Sequence, residues 1–296
     1  MSTAWSWYVI ILTLANVFGC IWLIRWTSKP KVGEVKTGDV TGHVWDETLQ
    51  EYNNPMPRWW LWMFYLTIIF GLIYLALYPA LGNFKGLFGW TSKQEYQKEI
   101  AQANAAYGPI FAAYAKTDIV TLAKDSDAMR AGQRLFLNYC ASCHGSDAGG
   151  ARGFPNLRDH DWLYGGTPEM IQTSILDGRR GVMPAWGAVL GDKGVDEVAA
   201  YVMSLSDRKA DAALARAGKA RFETFCAACH MPDGKGNQGI GAPNLTDNIW
   251  LYGRAASTIK QTIRDGRNGV MPSHRTFLGE DKAHLLAAYV YSLSAK

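Results

Sequence analysis

The chain lacks a basic cluster. Lys and Arg number 30 against 26 Asp and Glu in 296 residues, and with no recognised binding motif beside that mild excess, a nucleic-acid surface is excluded. Charge is missing altogether from two long stretches, residues 4–24 and 59–81. No basic region precedes the first stretch and no small-x-small site follows it, which excludes a cleaved signal peptide. Cysteine is scarce: four of the five residues form two Cys-x-x-Cys pairs, and Cys20 is left over in an apolar run. Around those pairs no further Cys or His recurs at matching positions, which argues against zinc, a metal that wants additional ligands at regular spacing.

The two uncharged stretches are long enough to cross a hydrocarbon core as helices, at about 4–26 and 59–81. Nine of the twelve tryptophans fall in the first 90 residues, most near the ends of these spans, where interfacial indoles belong. The polar connection at 27–58, with Arg25 at its edge, accounts for all five basic residues of this part: Arg25, Lys29, Lys31, Lys36 and Arg58. The positive-inside rule therefore makes that loop cytoplasmic and puts the N-terminus and everything after Leu81 outside. Residues 1–82 thus read as a transmembrane hairpin in the lipid bilayer. Asn16, Gly19 and Gly71 suit packing against neighbouring helices, or, for Asn16, a bond within the hairpin itself. Val17-Phe18-Gly19-Cys20 resembles a lipoprotein cleavage site only faintly, because apolar residues continue past the cysteine; Cys20 reads as a buried helix thiol.

Residues 83–125 form a helical arm, with Ser92-x-x-Glu95 as a capping box and Gly108-Pro109 as an interruption. Asp125-Ser126-Asp127 caps the helix that follows.

From there the sequence occurs twice. Cys140-Ala-Ser-Cys143-His144 answers to Cys226-Ala-Ala-Cys229-His230 at an offset of 86. After a two-residue insertion the offset is 88, relating Pro155 to Pro243, Trp162 and Tyr164 to Trp250 and Tyr252, Arg179 to Arg267, and Met183-Pro184 to Met271-Pro272. Two copies of this length read as tandem globular modules, 126–206 and 212–296, joined by a linker at 207–211. Modules of about 85 residues are marginal on their own cores. A large covalent group would supply the apolar surface they lack.

A c-type haem meets that need. Its two vinyl groups add two thiols, so Cys140, Cys143, Cys226 and Cys229 would attach two haems while His144 and His230 turn under the irons. Within each repeat the sixth ligands are expected to be Met183 for the first iron and Met271 for the second. His160 and His274 are the rivals, but each has a non-histidine at the matching position. Pro155 and Pro243 are placed to pack on the imidazoles and bring a carbonyl to Nδ1. Trp162, Tyr164, Trp250 and Tyr252 are candidates for propionate contacts or for plain core packing, and Arg179 and Arg267 for propionate contacts or solvated turns. Gly132, Phe136, Gly218 and Phe222 on first helices, with Tyr201 and Tyr289 on last helices, mark the crossing of terminal helices that closes each fold. With six ligands filled, no position is open for oxygen or peroxide: there is no catalytic residue here, and the chain transfers electrons.

The two modules resemble class I cytochromes c over residues 126–296. Asn53-Asn54-Pro55-x-Pro57-Arg58-Trp59-Trp60 before the second span, with Tyr78-Pro79-x-Leu81-Gly82-Asn83-Phe84-x-Gly86 and Gly89-Trp90-Thr91-Ser92 after it, are similar to the CcoP or FixP dihaem subunit of cbb3-type cytochrome c oxidases. Many members of that family carry one span, and this chain has two. The resemblance implies an all-α chain in a bacterial inner membrane with periplasmic haem modules. It also implies electron entry from a soluble cytochrome c donor and delivery to a monohaem cytochrome subunit and then a haem-copper catalytic subunit on another chain. A stand-alone membrane-anchored dihaem carrier, the cytochrome subunit of a periplasmic dehydrogenase and a dihaem peroxidase are the competing readings.

Overall fold

The computed structural model describes residues 1–294, so the last two residues of the expected second module lie outside it. The chain divides into two compact units, Met1–Asn104 and Ala105–Lys296. It is helical apart from two short antiparallel strand pairs.

In the first unit, helix α1 (Thr3–Thr27) starts where Ser2 Oγ accepts from the Trp5 amide. Strands β1 (Val40–Trp45) and β2 (Leu49–Tyr52) then form a hairpin, with Val44 opposite Gln50 and Trp45 opposite Leu49, inside the polar connection. Helix α2 (Arg58–Leu77) follows. Both α1 and α2 are long and apolar enough to span a membrane. The second ends at Leu77 and not at Leu81, because Pro79 disfavours the helical region for Tyr78, which sits at φ −113°, ψ 156°.

The segment after α2 fastens the hairpin. The Asn83 amide donates to the buried Ser6 hydroxyl at 2.9 Å, and its side chain donates to the Met1 carbonyl at 3.3 Å. Asn16 bonds inside its own helix, donating to the Leu12 carbonyl at 2.8 Å. Nothing approaches within 4 Å of a Cβ built on Gly19 or Gly71. Cys20 is exposed instead of buried, since a single neighbouring helix covers only one stripe of α1.

Helix α3 (Ser92–Tyr114) is capped one residue earlier than the sequence pattern indicates: Thr91 Oγ1 accepts from the Gln94 amide at 3.2 Å. It also runs through Pro109. Gly108 has no Cβ to clash with the proline ring, which removes part of the usual penalty at that position.

In the second unit, α4 (Ile119–Leu122) leads to α5 (Ser126–Tyr139), whose first turn is capped by Asp125 Oδ1 accepting from the Asp127 and Ala128 amides at 2.8 and 2.9 Å. The elements α6 (Ala141–His144), α7 (Pro168–Asp177), β3 (Arg179–Met183) and α8 (Gly187–Leu205) complete the first repeat. The second repeats them as α9 (Ala212–Phe225), α10 (Ala227–His230), α11 (Ala256–Asp265), β4 (Arg267–Met271) and α12 (Arg275–Ser294).

The repeats do not close on themselves. Strands β3 and β4 pair antiparallel, Gly181 opposite Gly269, Arg179 opposite Met271 and Met183 opposite Arg267. Beyond this crossing each chain segment joins the other repeat. Helix α12 packs on α5 and α7, and α8 packs on α9 and α11. One core therefore joins Phe136, Ile171 and Ile175 to Leu278, Leu285 and Leu286. The other joins Val195 and Val198 to Phe222, Ile259 and Ile263. The expected crossing of terminal helices is present, with partners drawn from opposite repeats: the ring of Phe136 meets that of Tyr289 at 5.5 Å and Tyr201 meets Phe222 at 5.2 Å.

Polar ties follow the same exchange. Arg275 reaches Asp177 at 2.7 Å, Lys260 reaches Asp196 and Arg264 reaches Asp192, both at 2.8 Å. The buried Glu197 receives Arg221 at 2.6 Å. At the crossing itself, Gly178 and Gly266 hold φ of 73° and 72°, and a Cβ on either would fall on the carbonyl of Met271 or Met183 respectively.

Candidate functional site

His144 and His230 end the single-turn helices α6 and α10, which the Cys-x-x-Cys spacing forms, and both imidazoles are buried. Nδ1 of His144 lies 3.0 Å from the Pro155 carbonyl and Nδ1 of His230 lies 3.1 Å from that of Pro243. The carbonyl expected near each ring is thus the proline's own. Donation from Nδ1 fixes the tautomer and leaves Nε2 as the ligating nitrogen. Burial lowers both histidine pKa values, against the opposing effect of the proline carbonyls, and the charge of His274 lowers that of His144 further. Both rings are neutral at neutral pH, the form that binds a metal.

Of the four box cysteines, Cys140 and Cys226 are half-buried and Cys143 and Cys229 exposed. Burial, and after it the neighbouring cysteine, pushes Cys140 and Cys226 up to about 11. Each module thus presents two cysteines one helical turn apart beside a buried imidazole.

The methionines change places relative to the repeats. Met271 packs at the edge of the core that includes Phe136 and Ile171, alongside Cys140, Leu157 and Trp162. Met183 packs at the edge of the core that includes Phe222 and Ile259, alongside Cys226, Leu245 and Trp250. Of the rival histidines, His160 is exposed. His274 has its Nδ1 2.7 Å from the Pro272 carbonyl.

Arg179 and Arg267 are half-buried strand residues and not solvated turns. Arg179 Nε donates to Ser174 Oγ at 2.8 Å and lies over the Tyr164 ring; Arg267 Nε donates to Thr262 Oγ1 at 3.0 Å and lies over Tyr252. Three buried side-chain polar atoms among the described residues have no hydrogen-bond partner: Tyr164 Oη, Trp250 Nε1 and Arg208 Nη1. Two belong to the aromatic pairs singled out in the sequence. Arg208 was hidden inside the linker, in a charged Asp207-Arg208-Lys209 run with Asp211 three residues on, and nothing in the sequence set it apart.

Carboxylates crowd where the repeats meet. Asp161 is raised from 3.8 to about 6, by burial first and then by the charges of Asp247 and Asp159. Its folded form holds the proton more tightly than the unfolded chain does. This contribution favours folding at low pH and is lost as pH rises through about 6. Asp161→Asn is expected to raise the melting temperature at pH 7.5 and to leave it unchanged at pH 3.5. Calorimetric scans of both proteins across that range check this, and a gain that persists at pH 3.5 would contradict it.

The fold and these residues define a class: a two-helix membrane anchor carrying a duplicated Cys-x-x-Cys-His module. Residues 37–85 match the model of the N-terminal domain of cytochrome oxidase-cbb3, FixP, and residues 127–202 and 213–290 match that of cytochrome c oxidase, cbb3-type, subunit III. The chain is 46% identical over 294 residues to the cbb3-type cytochrome c oxidase subunit CcoP of Rubrivivax gelatinosus, covering 99% of this chain and 96% of that one. It is 40% identical over 285 residues to the CcoP of Cereibacter sphaeroides (90% and 97% covered) and 42% identical over 270 residues to the FixP of Azorhizobium caulinodans (86% and 92% covered). The chain belongs to the CcoP/FixP family of cbb3-type oxidase subunits.

Proposed function

We propose that this chain is the membrane-anchored dihaem c subunit through which a cbb3-type terminal oxidase takes in electrons. The observation that carries the reading is the pair of buried imidazoles, each locked through Nδ1 to a proline carbonyl beside its Cys-x-x-Cys pair. Haem c would supply reversible one-electron transfer. Cys140 and Cys143 would hold one haem, Cys226 and Cys229 the other, with His144 and His230 as proximal ligands. The residues fit the group: Tyr164 Oη and Trp250 Nε1 are buried donors waiting for an acceptor, which a propionate provides.

The packing favours ligand sets that cross the repeats: His144 with Met271, and His230 with Met183. A thioether opposite an imidazole favours the ferrous state and raises the reduction potential. Filled coordination leaves oxygen chemistry to the haem-copper subunit on another chain. The chain sits in a bacterial inner membrane with two spans, its N-terminus and haem modules periplasmic, where a soluble cytochrome c can deliver electrons. From here they pass toward the monohaem cytochrome subunit and the catalytic subunit.

Purification of the native complex after mild solubilisation tests this. The expected result is two haems c on this chain, co-migrating with haem b and copper. Haems c that migrate free of haem b and copper would instead establish a stand-alone carrier or a dehydrogenase subunit. A cyanide-induced change in the c-type haem bands, with peroxide turnover by this chain freed of haem b and copper, would point to a peroxidase.

A further inference from the structure

We propose that Arg208, with Trp250, clamps a propionate of the haem carried by Cys226 and Cys229 and holds that haem's reduction potential up. The proposal rests on the haem reading above. Arg208 lies just past the end of α8, its amide donating to the Met203 carbonyl at 3.1 Å. Its Cζ sits 5.7 Å from the centroid of the Trp250 ring. Arg208 Nη1 and Trp250 Nε1 are both buried, and neither has a hydrogen-bond partner.

A buried donor left unpaired costs about 1–3 kcal/mol, and more when it is charged. Two such donors on adjacent side chains mark a site built for an anion. Among the described residues no carboxylate lies within salt-bridge distance of Arg208, so no side chain fills that role. Trp250 packs at the edge of the same core as Cys226 and Met183. A haem attached at the Cys226 box would bring carboxylates of its own into this module, and Arg208 and Trp250 would be the donors to receive one. Arginine is suited to a carboxylate partner, since its fork offers parallel donors and stays charged. The indole adds a neutral donor without adding charge.

The consequence is electrostatic. A cation against a propionate cancels one negative charge at the haem edge, which disfavours the ferric state relative to the ferrous. Arg208 belongs to the linker that follows α8, so the residue that tunes that haem lies outside the repeat that carries it.

Spectroelectrochemical titration of the full chain in its native complex tests this. In Arg208→Gln, one of the two haem c midpoint potentials should fall by about 59 mV, a tenfold change in a one-electron equilibrium, and the other should stay put. Arg208→Lys should keep most of the parental value, and Trp250→Phe should lower the same potential by less. The sulfur-to-iron near-infrared bands should survive in all three. Should Arg208→Gln lose a band, Arg208→Lys carries the test: restored band and potential support the clamp, and a loss as large as in Gln overturns it. Potentials in Arg208→Gln equal to the parent's, or shifted equally at both haems, overturn it too. A parent chain with no c-type haem in the pyridine haemochrome assay would sink the haem reading itself, which is a different result.

Discussion

Gly218→Val is expected to dismantle the core around the Cys226 box. Gly218 lies where α9 crosses α8, and a Cβ there would fall on the Glu197 carbonyl oxygen while standing 3.0 Å from Tyr201 Cβ. Both obstacles belong to a helix whose other face is filled: Val195, Val198 and Ala199 are essentially inaccessible. Retreat of α8 would also strain the 2.6 Å pair between Arg221 and the buried Glu197 carboxylate. Overpacking of this kind costs about 1–3 kcal/mol, and more when backbone must shift. At about 3 kcal/mol the melting temperature of a unit this size falls by about 6–12 °C. The equivalent Gly132 faces a softer neighbour, with Tyr289 Cβ at 2.8 Å and the Leu285 carbonyl at 3.4 Å. Gly132→Ala, which also gains about 1 kcal/mol of helix propensity, should cost clearly less than Gly218→Val. Chemical denaturation, with haem content per chain, separates the two; equal losses would mean that the crossings are equally adaptable.

What could be read from the sequence were features set by local chemistry. The two spans follow from uninterrupted apolar composition, the Asp125 cap from one side chain and the next turn, and the buried histidines from the Cys-x-x-Cys-His spacing. The prolines beside the imidazoles were also visible, because a partner 11 or 13 residues on needs only a short loop, although which carbonyl accepts from Nδ1 was not. Features that depend on a competing neighbour were harder. Pro79 ends α2 at Leu77 although the apolar run continues, and Gly108 lets α3 pass through Pro109 although that pair usually breaks a helix. The exchange of α8 and α12 was illegible for a stronger reason. Each repeat carries the same glycine, aromatic and Met-Pro positions, so either last helix fits either first helix by pattern alone. The ties that select the exchanged pairing, such as Arg275 with Asp177 and Arg221 with Glu197, join residues far apart in sequence.

That exchange makes an expected result for the axial ligands that pairing within repeats reverses. The parent should show two equivalents of the weak near-infrared sulfur-to-iron band, one per haem. His144→Ala should lose one, because an iron held at the Cys140 box would then lack its imidazole ligand. Adding Met271→Ala to His144→Ala should then change little: if Met271 serves that same iron, its band is already gone. Adding Met183→Ala to His144→Ala should abolish the remaining band, since Met183 packs beside the Cys226 box. Pairing within repeats demands the opposite, with Met271→Ala erasing the last band and Met183→Ala silent. The two outcomes differ by a whole equivalent of signal in the same background, and covalent thioether links would keep both haems on the chain when a ligand is lost. A second measurement needs no ligand variant. With a protease site placed in 207–211, cleaved halves of an exchanged fold stay together under native conditions. Each core takes helices from both sides of the cut: α5 and α7 with α12, α9 and α11 with α8. Separation of the halves in native gel filtration would show that each repeat closes on its own helix, and the ligand sets would then follow the repeats.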